Sequence, residues 1–165
     1  MRRTQYRTCC VLSPLVAADT IAKAVRQTSE LCHATGLKVA HDETYEVALV
    51  VNEAWKDDWI PADPNGFFLG SWGQIPGVPF KRLIWSNWFK TIIRVGSTGL
   101  DEYLPPFAQD PKNPNRWSAQ FTARSDGEVF IYVNDTSIFA PWLFDAFYKN
   151  NKGSAEISMA RVDMP

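Results

Sequence analysis

From Tyr45 to Val51 the chain alternates, with Tyr45, Val47, Leu49 and Val51 on one side and Glu46, Ala48 and Val50 on the other. A period of two predicts a strand with at least one buried face. Further strands are predicted at Thr91 to Val95, Trp117 to Arg124 and Glu128 to Val133, and a last one, Ser154 to Val162, closes the chain. The second and third of these are joined by Ser125-Asp126-Gly127, a short Asp-Gly turn that predicts a hairpin. Upstream the period changes. Ile21, Val25 and Cys32 fall on one helical face and Lys23, Arg26, Gln27 and Glu30 fall elsewhere, which predicts a helix over 15–34, started by Ser13-Pro14 and stopped at Gly36.

Between the first strand and the second lies an irregular stretch, 53–87, punctuated by Pro61, Pro64, Pro76, Pro79 and several glycines, where loops and short strands are expected. Its aromatic residues, Trp55, Trp59, Phe67, Phe68, Trp72, Phe80, Trp85 and Trp88, are expected to be mostly buried, because so much exposed aromatic surface is adhesive. The segment 105–116, with Pro105, Pro106, Pro111 and Pro114, reads as a surface excursion. Short strands, turn signals and no strand–helix–strand rhythm predict a mainly β protein, a jelly-roll β-sandwich with one flanking N-terminal helix. The domain spans 15–165, including the helix over 15–34, and follows a tail over 1–14.

Composition narrows the partners. A chain of 165 residues that is 45% hydrophobic buries a sizeable core, and a formal net charge of -1 with dispersed Lys and Arg argues against nucleic acid. Cys9, Cys10 and Cys32 supply no disulfide framework. The apolar stretch Cys9 to Ala18 is interrupted by Ser13 and Pro14, so cleavage as a leader is not expected, and no run reaches the roughly 18 apolar residues of a transmembrane helix. A soluble domain is the expectation.

Catalytic motifs are scarce. The two histidines, His33 and His41, belong to no HExxH or Cys/His metal spacing, and there is no GxSxG elbow or phosphate-binding glycine loop. Cys32 with His33 or His41 reads as a core thiol rather than a nucleophile. The carboxylate pairs Asp57-Asp58 and Asp101-Glu102 read as water-facing turns rather than the acid and base of a glycosidase. No enzyme is expected.

What remains is the end of the chain. The apolar run from Val129 to Val133 stops at Asn134-Asp135, and Asn150-Asn151 stands just before the last strand, which is expected to return beside the first of them. Calcium takes about six to eight oxygens. Asp135, Asn150 and Asn151 supply side-chain oxygens, Asp145 a second charge, and carbonyls of the Ala40 to Asp42 turn complete the shell. Such a site, poor in carboxylates, holds calcium at about 10⁻⁴ to 10⁻³ M and leaves positions for the vicinal hydroxyls of a sugar. Trp142 or Tyr148 is the candidate stacking aromatic. Asn-Asp and Asn-Asn-Lys-Gly are equally ordinary turn sequences, which leaves a purely structural role open. Asn134-Asp135-Thr136 also matches a glycosylation acceptor, a short pattern common by chance.

The wording Ile131-Tyr132-x-Asn134-Asp135, then Tyr148-x-Asn150-Asn151-x-Gly153-Ser154, resembles the galactose-binding-domain-like jelly rolls, and among them the small bacterial calcium-dependent galactose lectins. Ile93-x-Val95-Gly96-Ser97 is similar to a glycine-bearing strand end of the same folds. The resemblance implies that Asp135, Asn150 and Asn151 bind calcium and touch the sugar. Two departures stand out: the connection 136–149 is longer than in those lectins, and the family's sugar-contacting His and Gln have no counterpart. Larger blocks, Trp88-Phe89-Lys90 through Gly96-x-Thr98-Gly99-x-Asp101-Glu102-Tyr103 and Phe121 to Glu128, resemble a bacterial module of that fold. The expected function is a non-catalytic carbohydrate-binding module, calcium-dependent through the Asn134-Asp135 and Asn150-Asn151 loops. The alternative is a protein-interaction or accessory domain using the apolar loop 138–147.

Overall fold

The structure, a computed structural model, describes residues 16–17, 22–29, 33–68, 81, 83–96, 101–103, 105–136 and 148–162. The tail over 1–14 lies outside them, as do Cys32, Trp72, Phe80 and the loop 138–147 with Trp142 and Asp145. In chain order the strands are β1 (Val16–Ala17), β2 (Ala22–Gln27), β3 (His33–Val39), β4 (Thr44–Asp57), β5 (Ile60–Ala62), β6 (Thr91–Val95), β7 (Asp101–Tyr103), β8 (Ala108–Asp110), β9 (Asn113–Thr122), β10 (Gly127–Val133) and β11 (Asn151–Arg161). They form a mainly β sandwich. One sheet runs β1-β3-β10-β6-β7 and the other β2-β11-β4-β9-β8, with β5 on β4.

The alternating positions fill the space between the sheets. Tyr45, Val47 and Leu49 of β4, with Ile157 and Met159 of β11, meet Ile93, Val95, Val129, Ile131 and Val133 of the opposite sheet in one buried cluster. Each large apolar side chain buried there contributes about 1.5–3 kcal/mol. β10 and β6 are buried on both faces: Ile131 pairs with Ile93 toward the core, while Tyr132 with Ile92 and Phe130 with Arg94 turn the other way, all of them buried. That two-sided burial is why β10 reads as a continuous apolar run rather than an alternation.

The helix expected over 15–34 is absent from the described residues, which lie in β1, β2, a turn at Thr28 and Ser29, and the start of β3. Ala22-Lys23-Ala24-Val25-Arg26-Gln27 has no strong preference of its own, and the free edge of β11 decides its state by pairing with it from Met159↔Ala22 to Ser154↔Gln27. Gly36, taken as a helix stop, instead lies inside β3 at φ 73°. The register there jumps from Glu128↔Lys38 to Phe130↔Ala34, a bulge in β3, and the Thr35 hydroxyl donates to the Val129 carbonyl at 2.7 Å.

The Asp126-Gly127 turn is also not a hairpin, because β9 belongs to one sheet and β10 to the other. It crosses between layers. Asp126 accepts a hydrogen bond from the His41 amide at 2.8 Å, and a Cβ on Gly127 would stand 3.0 Å from the Gly96 nitrogen. Of the prolines of 105–116, Pro105 and Pro106 precede a small hairpin of β8 with β9, Pro111 lies in its turn and Pro114 near the start of β9. Burial of the aromatic residues is divided. Trp55 and Trp88 are buried, whereas Trp59, Phe68 and Trp85 are exposed. No helix among the described residues is long and apolar enough to cross a membrane.

Candidate functional site

The ends of β4 and β10 and the start of β11 meet at one end of the sandwich. β11 does not return beside β10 as expected; it pairs with β4 and β2 in the other sheet, so Asp135 and Asn151 face each other across the layers. Asn151 Nδ2 donates to Asp135 Oδ2 at 2.9 Å and to the Thr28 carbonyl at 3.3 Å. Asp135 Oδ1 accepts from the Thr136 amide at 2.6 Å. The short 3-10 turn Tyr148–Asn150 sets the height of Asn150 and Asn151, and it is tied down by the Tyr148 hydroxyl, which donates to the Val133 carbonyl at 3.0 Å. Two register shifts between β11 and β4 bring Asp57 opposite Asn151, and Asn150 Nδ2 makes a long hydrogen bond to Asp57 Oδ1 at 3.5 Å.

Electrostatically the site is set by two carboxyls taken out of water. Asp135 is only 3% exposed, and burial, with the negative charge of Asp57 adding to it, pushes its carboxyl up to about 7. The hydrogen bonds from Asn151 and the Thr136 amide act in the opposite sense. Burial also raises Asp57, helped by neighbouring Asp58. Asn151 is 5% exposed, and its Oδ1 is buried without a hydrogen-bond partner among the described residues. A buried acceptor left unmade costs about 1–3 kcal/mol, so this end holds two destabilised groups, the Asp135 carboxyl and the Asn151 Oδ1.

Other expected site residues have different surroundings. Asn134 points away from Asp135: its Oδ1 accepts from the Leu83 amide at 2.8 Å, and its Nδ2 donates to the carbonyls of Leu83 at 3.1 Å and Asn87 at 2.9 Å. It is fully buried, which closes it to glycosylation in the folded chain. Asn134→Ala is expected to cost about 2–4 kcal/mol, measurable by urea denaturation, because three hydrogen bonds of a fully buried side chain are lost at once. Tyr148 is fully buried, so its ring has no face to offer a sugar and its role is positional. Trp142 and Asp145 lie outside the described residues.

The Ala40 to Asp42 turn cannot complete a shell here, because it packs at the opposite end, where the Asp42 amide donates to the Ala123 carbonyl at 2.7 Å. The Thr28 carbonyl stands in its place beside Asn151. Asp57 is the residue that sequence reasoning missed, set aside with Asp58 as a solvated turn pair. Its signal was a carboxylate at the end of a long strand, but only the β4–β11 register puts that strand end beside Asn151. Among the described residues no three His, Cys, Asp or Glu converge, so the oxygen donors here are two carboxylates and two amides. A groove of about 470 Å³ lies at the far end, and its charged residues, Asp42 and Arg124, are exposed.

No protein-family model and no curated protein matches the chain. Six solved chains do. One is the EclA N-terminal domain, a PllA-like lectin, with a TM-score of 0.53 at 12% identity, covering 87% of this chain and 98% of that one. At that identity the likeness is one of fold: this chain shares the β-sandwich architecture of that lectin domain.

Proposed function

We propose that the chain is a galactose-binding-like jelly roll that acts as a carbohydrate-binding module without catalysis, taking a glycan at the Asp135–Asn151 end with the help of calcium. The observation that supports this most is the buried Asn151 Oδ1, without a partner among the described residues, beside a carboxyl that burial pushes up to about 7. Hard divalent cations take carboxylate and amide oxygens, and two carboxylates balance the charge of one calcium ion. Asp135, Asn151, Asn150 and Asp57 would hold it. When bound, the ion supplies a positive centre with open positions for neighbouring hydroxyls of a sugar. The protein's own part is to keep the oxygens fixed: Asn134 and Tyr148 brace the backbone on either side, and Thr28 anchors the Asn151 amide. The lectin-like fold of the EclA domain supports the glycan half of the reading.

The alternative of a protein-interaction surface on 138–147 rests on residues outside those described. The test is a glycan array probed with the whole chain in calcium and again in EDTA. Binding to a family of related glycans that disappears in EDTA is expected. Absence of binding in both buffers would refute the module, and binding indifferent to EDTA would remove calcium from it.

A further inference from the structure

The exposed large hydrophobic residues of the described chain are Trp59, Phe68, Ile84 and Trp85. Their placement is not scattered. Trp59 sits in the turn between β4 and β5, which follows Asp57 directly, and Asp57 pairs with Ile60 across that turn. Phe68 follows Phe67, which bridges Trp88 just before β6, and Ile84 and Trp85 lie in the loop that Asn134 clamps. All four therefore rim the end of the sandwich that carries Asp135 and Asn151, while the opposite end carries none of them. Isolated apolar residues on a surface need no explanation, but several around one polar end of a sandwich mark a binding edge.

The four are not equivalent. Consecutive side chains on an extended strand end point to opposite sides, so Asn134 turns toward the 83–87 loop and Asp135 toward Asn151. Trp85 belongs to the Asn134 side. Trp59 belongs to the other: Asp57, two residues before it, reaches Asn150 and stands opposite Asn151. Trp59 is 79% exposed, and Asp58 in front of it is held at φ 53°, so the backbone here turns tightly and presents the side chain outward. Trp55, on the same strand, is buried against Phe89, so this segment has room in the core for one indole and leaves the second outside.

We propose that Trp59 is the stacking residue of this site, packing its indole on the C–H face of a pyranose whose hydroxyls point toward Asp57, Asn150 and Asp135. The electron-rich face of an indole attracts the weakly positive C–H groups of a sugar ring, and it gives large contact area with little side-chain entropy to lose. This deepens the carbohydrate reading and rests on it. It also replaces Tyr148, whose ring is buried, as the aromatic partner.

The experiment measures two affinities on the full chain and its Trp59→Ala and Trp59→Phe variants: calcium alone, and methyl α-galactoside in saturating calcium, both by titration calorimetry. Because Trp59 is exposed, neither variant endangers the fold. Trp59→Ala is expected to weaken the galactoside by about five- to tenfold while Trp59→Phe recovers most of it, with calcium affinity unchanged in both. Equal galactoside affinity in the wild type and Trp59→Ala overturns the proposal and leaves the sugar reading intact. A wild-type chain that binds calcium but no galactoside overturns this proposal, and the glycan array decides the sugar reading separately. Sedimentation with phosphatidylserine vesicles that is lost in Trp59→Ala, at unaltered galactoside affinity, assigns the aromatic rim to a membrane surface and also overturns it.

Discussion

Asp135→Asn is expected to stabilise the calcium-free protein at pH 8 while abolishing its response to calcium. In the wild type the Asp135 carboxyl is buried and titrates at about 7, well above its value in an unfolded chain. Between about pH 4 and pH 7 the native state therefore holds a proton that the unfolded state has released. Calcium-free stability accordingly falls as pH rises through that window, and above it the fold carries a buried charge. The amide removes that charge. It also keeps only one of the two acceptor oxygens now used by the Thr136 amide and Asn151, a loss of about 1 kcal/mol. The net gain at pH 8 is about 1–3 kcal/mol, and at pH 4, where the wild-type carboxyl is already protonated, the gain vanishes. Urea denaturation of metal-stripped protein at the two pH values reads both effects, and adding calcium should raise the wild-type midpoint alone. A variant weakened equally at both pH values and still calcium-responsive would show that Asp135 is an ordinary structural carboxylate.

Gly153→Ala should be the most damaging small substitution near the site. Gly153 has φ 116°, a region nearly closed to other residues, and an added Cβ would lie 2.6 Å from Trp55 Cδ1 and 2.8 Å from Trp55 Cα. Backbone strain of about 1–3 kcal/mol adds to the overlap with the backbone of β4, for a total loss of about 3–5 kcal/mol. The Gly153 carbonyl also accepts from the Thr28 amide at 3.0 Å, so a shift there carries the Thr28–Asn151 contact with it. Thermal unfolding is expected to move down by about 10 °C, with the calcium response reduced in whatever remains folded. A midpoint within a degree or two of wild type would mean that β11 and Trp55 can separate freely, and that the site is less rigid than the packing around it implies.

The strands were readable where one periodicity dominated. Tyr45 to Val51 alternates because one face of β4 meets the core, and Thr91 to Val95 and Val129 to Val133 run apolar because both faces of those strands are buried. Residues 15–34 misled because Ile21, Val25 and Cys32 fit a helical spacing, while the edge of β11 that recruits β2 lies more than a hundred residues downstream. Sheet membership was equally invisible. Asp126-Gly127 has the composition of a hairpin turn, and only its contacts with His41 and Gly96 show that it joins the layers. Of the site, Asp135, Asn150 and Asn151 were visible as oxygen-rich residues at strand ends. The opposite orientation of Asn134, the burial of Tyr148 and the arrival of Asp57 depend on long-range register, which local spacing does not contain.

The most direct test is a crystal structure of the chain grown in millimolar calcium. An ion bound by Asp135 and Asn151 Oδ1, with Asn150 and Asp57 completing its protein ligands and the Asn151 amide turned off the Asp135 carboxylate, is the predicted result. A well-ordered site with no ion, in which Asn151 Nδ2 still donates to Asp135 as it does at 2.9 Å here, would contradict it.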